Sequence, residues 1–194
     1  MSPLQTSDRR PIVISGPSGV GKGTLCQKLI NSYPDIFAFT VSHTTRGLRP
    51  GEVEGVSYYF VSPSSFQSLV SQSGFVEHAV FSGHNYGTSK QNISDLTARG
   101  LIPVLDIDVQ GVQQIKSNPC IDARYVFIKP PSLGALEERL RGRGTEKEEA
   151  IQKRLAQANI ELEYADIPGF FDMVIVNDDL EEAYKKFVEF ASGP

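Results

Sequence analysis

The chain has 194 residues, 40% of them hydrophobic, and a formal net charge of −4. That length and apolar content suit one α/β domain with a sizeable core rather than several domains, and the acidic balance lacks the basic excess that DNA or RNA phosphates demand of a main partner. No apolar run approaches the roughly 20 residues that span a bilayer, and the opening MSPLQTSDRR has no signal-peptide core, so the reading excludes a membrane role and expects a cytoplasmic protein.

In chain order, PIVIS predicts a strand over 11–15 and TLCQKLI a helix over 22–32. Between them stands Gly16-Pro17-Ser18-Gly19-Val20-Gly21-Lys22-Gly23-Thr24. Strand, glycine loop and helix in this order make a phosphate cradle. The glycines let backbone N–H groups converge on oxygens, the helix N-terminus adds partial positive charge, and Lys22 reaches the β and γ phosphates. Gly23 occupies the position where a Ser or Thr would bind Mg²⁺ directly, which leaves the metal to be reached through water or through Thr24. Cys26 falls in the helix, and Cys120 in a loop-like SNPC stretch. Neither has a His or Cys companion at metal-ligand spacing, and both read as reduced thiols.

A strand over 37–41 comes next, and then the alternation breaks. Residues 42–84 read as a turn-rich loop, a YYFV strand, a short helix over 64–71 and a strand over 74–81, which is the pattern of an inserted subdomain. In the loop, Arg46 and Arg49 stand three apart within SHTTRGLRPGE, a spacing that can clamp a dianionic phosphate with a tyrosine hydroxyl completing the set. Two arginines in a free loop are more often plain solvated surface, so the clamp needs support from elsewhere.

The rest of the chain returns to alternation. Helix over 89–98, strand over 101–107, helix over 109–116, strand over 125–128, helix over 132–141, strand over 173–176 and helix over 180–190 predict a largely parallel sheet covered by helices. Asp106 and Asp108 lie two apart in VLDID, at the strand's C-terminal end, where open α/β sheets bind ligands. The two-residue period turns both to one face. From Arg139 to about Tyr164 the pattern is a charged helix pair with little apolar surface of its own, as in a mobile lid.

Taken together, GPSGVGKGT, SHTTRGLRPGE with YYF, FVEHAVFSGHNYGTS, VLDIDVQGV, the RLRGRGTE…KRL segment and IVNDDL resemble the guanylate kinase family over nearly the whole chain, in that family's order. The resemblance implies an α/β fold in which a P-loop parallel-sheet core flanked by helices spans about 10–41, 82–131 and 165–194. It implies a GMP-binding subdomain over about 42–81 and a helical lid over about 132–164. It assigns the acceptor phosphate to Arg46, Arg49, Tyr58 and Tyr86, the guanine to Ser42, Glu77 and Thr88, and the adenine side to Asn177 and Asp178. Arg139, Arg143 and Arg154 match the family's lid arginines, and with Lys22 and Arg49 they form the expected catalytic set.

Asp106 is assigned to hydrated Mg²⁺ and Asp108 to the acceptor nucleotide. The implied activity transfers the γ-phosphoryl group of MgATP to GMP, and to dGMP, in a monomer whose partners are those small molecules alone. Structural roles stay open for several of these residues: helix caps for Thr88 and Asp108, a turn and cap for Asn177 and Asp178, and a solvated helical face for the lid arginines. Two other functions stay open as well. One is a protein-binding scaffold of the same fold, against which the intact loop and arginines argue. The other is a kinase for a different phosphorylated acceptor, which should lack the guanine set.

Overall fold

The computed structural model describes residues 6–81, 83–118, 121–142 and 148–193. Five strands form a parallel sheet: β1 (Ile12–Ser15), β2 (Phe37–Phe39), β7 (Ile102–Asp106), β8 (Arg124–Lys129) and β9 (Met173–Val176), in the order β2-β7-β1-β8-β9. Both faces of this sheet are covered, which is why its central strands read as unbroken apolar runs. Alternate residues feed two cores. Ile12, Ile14, Val126 and Ile128 enter one, with α1 (Lys22–Ser32), α5 (Leu133–Gly142), α6 (Glu148–Ala165) and α7 (Leu180–Ser192) contributing Leu25, Leu29, Leu136, Leu140, Ile151 and Phe187. Val13, Leu105 and Phe127 enter the other, under Val109, Val112 and Ile115 of α4 (Val109–Lys116).

A second sheet is built from β4 (Tyr59–Phe60), β3 (His43–Thr44), β6 (His84–Ser89) and β5 (Phe75–Phe81), in that order. β5 and β6 form an antiparallel hairpin, and α2 (Pro63–Ser71) lies between β4 and β5 in the chain. The subdomain was expected to end near residue 81. Instead β6 pairs with β3 and β5, so the second sheet runs on to Ser89 and into α3 (Lys90–Ala98).

Side-chain caps start four of the helices by satisfying otherwise orphaned N–H groups: Ser62 for α2, Ser89 for α3, Asp108 for α4 and Asp179 for α7. The Ser132 hydroxyl likewise accepts from Ala135 N at 3.0 Å at the start of α5. The helix pair α5–α6 is less free-standing than its charged sequence implies. Leu136 and Leu140 are fully buried, and Ile151 and Ala158 join the same core, because an i,i+4 apolar pair inside ALEERL gives α5 one inward face. Among the described residues no helix is long and apolar enough to cross a membrane.

Candidate active site

β1 and β7 are neighbours, with Ile14 in register with Asp106, so the loop leaving β1 and the carboxylate ending β7 come out side by side at the C-terminal edge of the sheet. Gly16 holds φ +140°, and a Cβ there would meet the Ile128 carbonyl oxygen at 2.3 Å. Gly21 holds φ +103°, and a Cβ there would meet the Asn177 side chain at 2.5 Å, so both positions are closed to other residues. Lys22 donates from Nζ to the Gly16 carbonyl at 2.6 Å and the Pro17 carbonyl at 3.3 Å, and lies 3.8 Å from Asp106 Oδ1. Burial raises the Asp106 carboxyl above its ordinary value, and the Lys22 charge partly offsets this. About a third of the Asp106 side chain, 35%, stays open to solvent beside the loop.

Around this cradle, Val20 is fully buried in the core and contributes only its backbone, while Ser18, Gly23 and Thr24 are exposed at the loop and the first turn of α1. Ser18 Oγ accepts a hydrogen bond from Arg154 Nη1, which brings α6 onto the loop. Asn177 is buried and acts as a strut. Its Nδ2 donates to the Val20 carbonyl at 2.7 Å, and its own carbonyl accepts from Arg139 Nη2 at 2.8 Å. Asp178 is exposed beside it, and the cap of α7 is Asp179 rather than either of them. Arg143, like Cys120, lies outside the described residues.

The second cluster faces this one from the four-stranded sheet. Glu77 and Thr88 are directly paired across β5 and β6, and Glu77 Oε1 accepts from the Thr88 N–H at 2.8 Å. Thr88 is fully buried, Glu77 is 7% exposed, and the Thr88 hydroxyl lies 3.3 Å from that of Ser42. Desolvation raises the Glu77 carboxyl above its ordinary value. Hydrogen bonds from Thr88 oppose the shift, and Asp108 adds to it. Thr88 is no cap, since Ser89 takes that role.

Asp108 is a cap, accepting from the Gly111 N–H at 2.9 Å. β7 ends at Asp106, so the strand period does not extend to Asp108 as the sequence suggested. Its carboxylate turns back on α4 instead.

Arg46 is buried and gripped. Nη1 donates to the Gly47 carbonyl at 2.8 Å and to Glu52 Oε2 at 3.0 Å, Nη2 donates to Glu52 Oε1 at 2.7 Å, and the guanidinium lies 5.3 Å from the centre of the Tyr58 ring. Glu52 thus takes the end-on fork of the guanidinium. The Nε–H and the second Nη2 proton are engaged by neither Glu52 nor Gly47. The Arg46 guanidinium, with the Arg49 N–H, holds the Glu52 carboxyl at about 2. Arg49 is exposed, and the Tyr58 and Tyr86 rings lie edge to face at 5.9 Å.

Sequence reasoning quoted Glu52 without giving it a role. It also missed Glu161, a buried α6 residue whose Oε2 has no partner among the described residues and whose carboxyl is raised by burial. The spacing 154, 158, 161 places Glu161 on the helix face that carries Arg154 and the buried Ala158, and that spacing was legible.

A strand–loop–helix phosphate cradle at the edge of a parallel sheet, facing an arginine–tyrosine cluster and a buried carboxylate on a second sheet, defines a P-loop kinase of the nucleoside-monophosphate type. Residues 8–192 match the guanylate kinase family. The chain is 54% identical over 185 residues to the guanylate kinase of Schizosaccharomyces pombe, covering 95% of this chain and 91% of that one. It is 49% identical over 188 residues to the human guanylate kinase, covering 96% and 94%. The crystal structure of guanylate kinase from Anaplasma phagocytophilum superposes with a TM-score of 0.69 at 32% identity, covering 97% of this chain and 87% of that one. The chain belongs to the guanylate kinase family, whose activity is the ATP-dependent phosphorylation of GMP.

Proposed function

We propose that ATP binds with its phosphates over Gly16, Ser18, Gly19, Val20, Gly21, Lys22, Gly23 and Thr24, with its adenine toward Asn177 and Asp178, and that GMP binds on the second sheet. The observation that carries this reading is the Glu77–Thr88–Ser42 cluster, a buried carboxylate beside two hydroxyls. Guanine presents N1–H and N2–H₂ as a donor pair, which a carboxylate accepts, and an O6 acceptor, which hydroxyls satisfy. Adenine would leave these groups mispaired, a mismatch worth up to ~10⁴ to 10⁵ in discrimination. Arg46, Arg49, Tyr58 and Tyr86 take the acceptor phosphate. In this reading Glu52 and Tyr86 hold the Arg46 guanidinium where it can meet the acceptor phosphate. The same base and phosphate contacts would serve dGMP, which we propose as a second acceptor.

The acceptor phosphate is already a nucleophile, so the chain supplies position and charge rather than a base. Lys22 exchanges the Gly16 and Pro17 carbonyls for phosphate oxygens. Arg154, already at Ser18, neutralises equatorial charge, and Arg139 and Arg143 complete the closing side, excluding water that would otherwise turn the enzyme into an ATPase. Mg²⁺ binds typically through one or two carboxylates plus waters and substrate phosphates, and Asp106 with the exposed Thr24 fits that donor set. When bound it offsets phosphate charge. We place the protein in the cytoplasm, a reading that rests on its nucleotide substrates and its buried free thiol at Cys26, and take it as a monomer.

The test is Glu77→Gln, which keeps size but turns one acceptor into a donor facing an N–H. kcat/KM for GMP is expected to fall at least ~10-fold, and that for IMP, which lacks the 2-amino group, to fall less. No loss for either substrate, in a variant with unchanged melting temperature, removes Glu77 from the site.

A further inference from the structure

We infer that Gln114 is a positioning residue of the guanine site, one that fixes how far the Glu77 carboxylate stands from α4. The inference rests on the reading of Glu77 given above and adds a residue that touches no substrate. β5 is the outer strand of its sheet, so the N–H and C=O of His78 point away from β6 toward α4. The Gln114 carboxamide takes both: Nε2 donates to the His78 carbonyl at 2.9 Å, and Oε1 accepts from the His78 N–H at 2.9 Å. A side chain thus reproduces the two-bond pairing that a neighbouring strand would make. It does so at the residue next to Glu77.

Three further observations give this clasp a function beyond covering a sheet edge. The β5–β6 register slips by one residue between Phe75 and Glu77, and such a bulge re-aims the side chain that follows it. α4 passes close behind the carboxylate, since a Cβ on Gly111 would stand 3.2 Å from Glu77 Oε2. A small change in the β5–α4 distance therefore becomes a change in where that carboxylate meets a base. Finally, Val76 of β5 packs with Val109 and Val112 of α4 in one core, but toward the outer edge a groove of ≈ 670 Å³ bordered by Ser73, His78, Lys90, Gln110 and Gln114 opens, and there the carboxamide is the hydrogen-bonded tie. The two carboxamide bonds add a directional tie at the residue next to Glu77, which apolar packing does not supply.

The experiment uses the full chain with Gln114→Ala and Gln114→Met, the second keeping side-chain length should the first fail to fold. Each is paired with Glu77→Gln in a double-mutant cycle. Loss of two bonds at a site that aims a charged acceptor is expected to raise the KM for GMP about tenfold, with kcat and the KM for ATP within about twofold of the parent. In the Glu77→Gln background the same substitution is expected to change the GMP KM by less than about twofold, because the group it positions is already gone. A folded variant with a lower melting temperature and an unchanged GMP KM would make Gln114 merely structural and overturn the inference, as would additive effects in the cycle. Failure of the underlying reading looks different: Glu77→Gln by itself would then leave GMP turnover intact.

Discussion

Lys22 spends its ammonium on two carbonyls of its own loop, with the Asp106 carboxylate within 4 Å, so the charge that phosphate transfer requires is already stored where phosphates would arrive. Removing it by Lys22→Ala is expected to lower kcat at least ~10²-fold, the scale of losing one preorganised charge stabiliser. Near-normal turnover of the folded variant would sink the assignment of the loop. Glu77 gives a second single-residue expectation, in pH. Its folded carboxyl is raised above the ordinary value by desolvation, so the empty enzyme keeps a proton that the unfolded chain has released, and stability contributed by that group declines as pH rises across the interval. In the proposed site, guanine's two donors would be accepted by the ionised form. GMP affinity should therefore weaken as pH falls through the raised value and level off above it, while Glu77→Gln flattens the profile. Titration calorimetry across that range reads the sign directly, and an affinity independent of pH in the parent would exclude an ionised Glu77 as the acceptor.

At the scale of elements, what the sequence made legible and what it hid divide along physical lines. α1 and α4 fall where periodicity put them, at Lys22–Ser32 and Val109–Lys116, because an apolar face with a glycine loop or a capping aspartate marks each boundary. The central strands are equally plain, since β-branched runs buried on both faces have no competing reading. β3 has two residues, and β6 is HNYGTS, nearly without apolar side chains. Both are strands because neighbours pair with them, a tertiary fact that no local pattern carries. The same blindness affects the proposed lid, where four charged residues around Leu136 and Leu140 concealed two fully buried leucines. Glu77 and Thr88 were found only as members of a familiar series of motifs, whereas Gln114 and Glu52 act through other residues and left no signal of their own. For α6 the expectation is catalytic. Arg154→Ala should lower kcat more than it raises the KM for GMP, because its contact matters most in the closed state. An effect confined to the KM for ATP would make Arg154 a binding group.

The whole molecule is built on two sheets, and the chain's early and late segments are tied together. Buried Arg124 donates to the Phe190 and Ala191 carbonyls at the end of α7 and lies 3.4 Å from Asp8. The fixed half includes more of the helical layer than its charge suggests, and this has a calorimetric consequence. Leu136 and Leu140 moor α5, and Ile151 and Ala158 moor α6, in the same core as Val20 and Leu25, so a donor-side movement that leaves these four in place exchanges little apolar surface with water. Heat capacity follows apolar area, and unfolding a chain of this length carries roughly 2.5 kcal/mol/K at ~13 cal/mol/K per residue. ATP binding is expected to change heat capacity by less than about a tenth of that. A drop several times larger, measured from binding enthalpies at a series of temperatures, would mean that the two leucines leave the core each time the nucleotide departs.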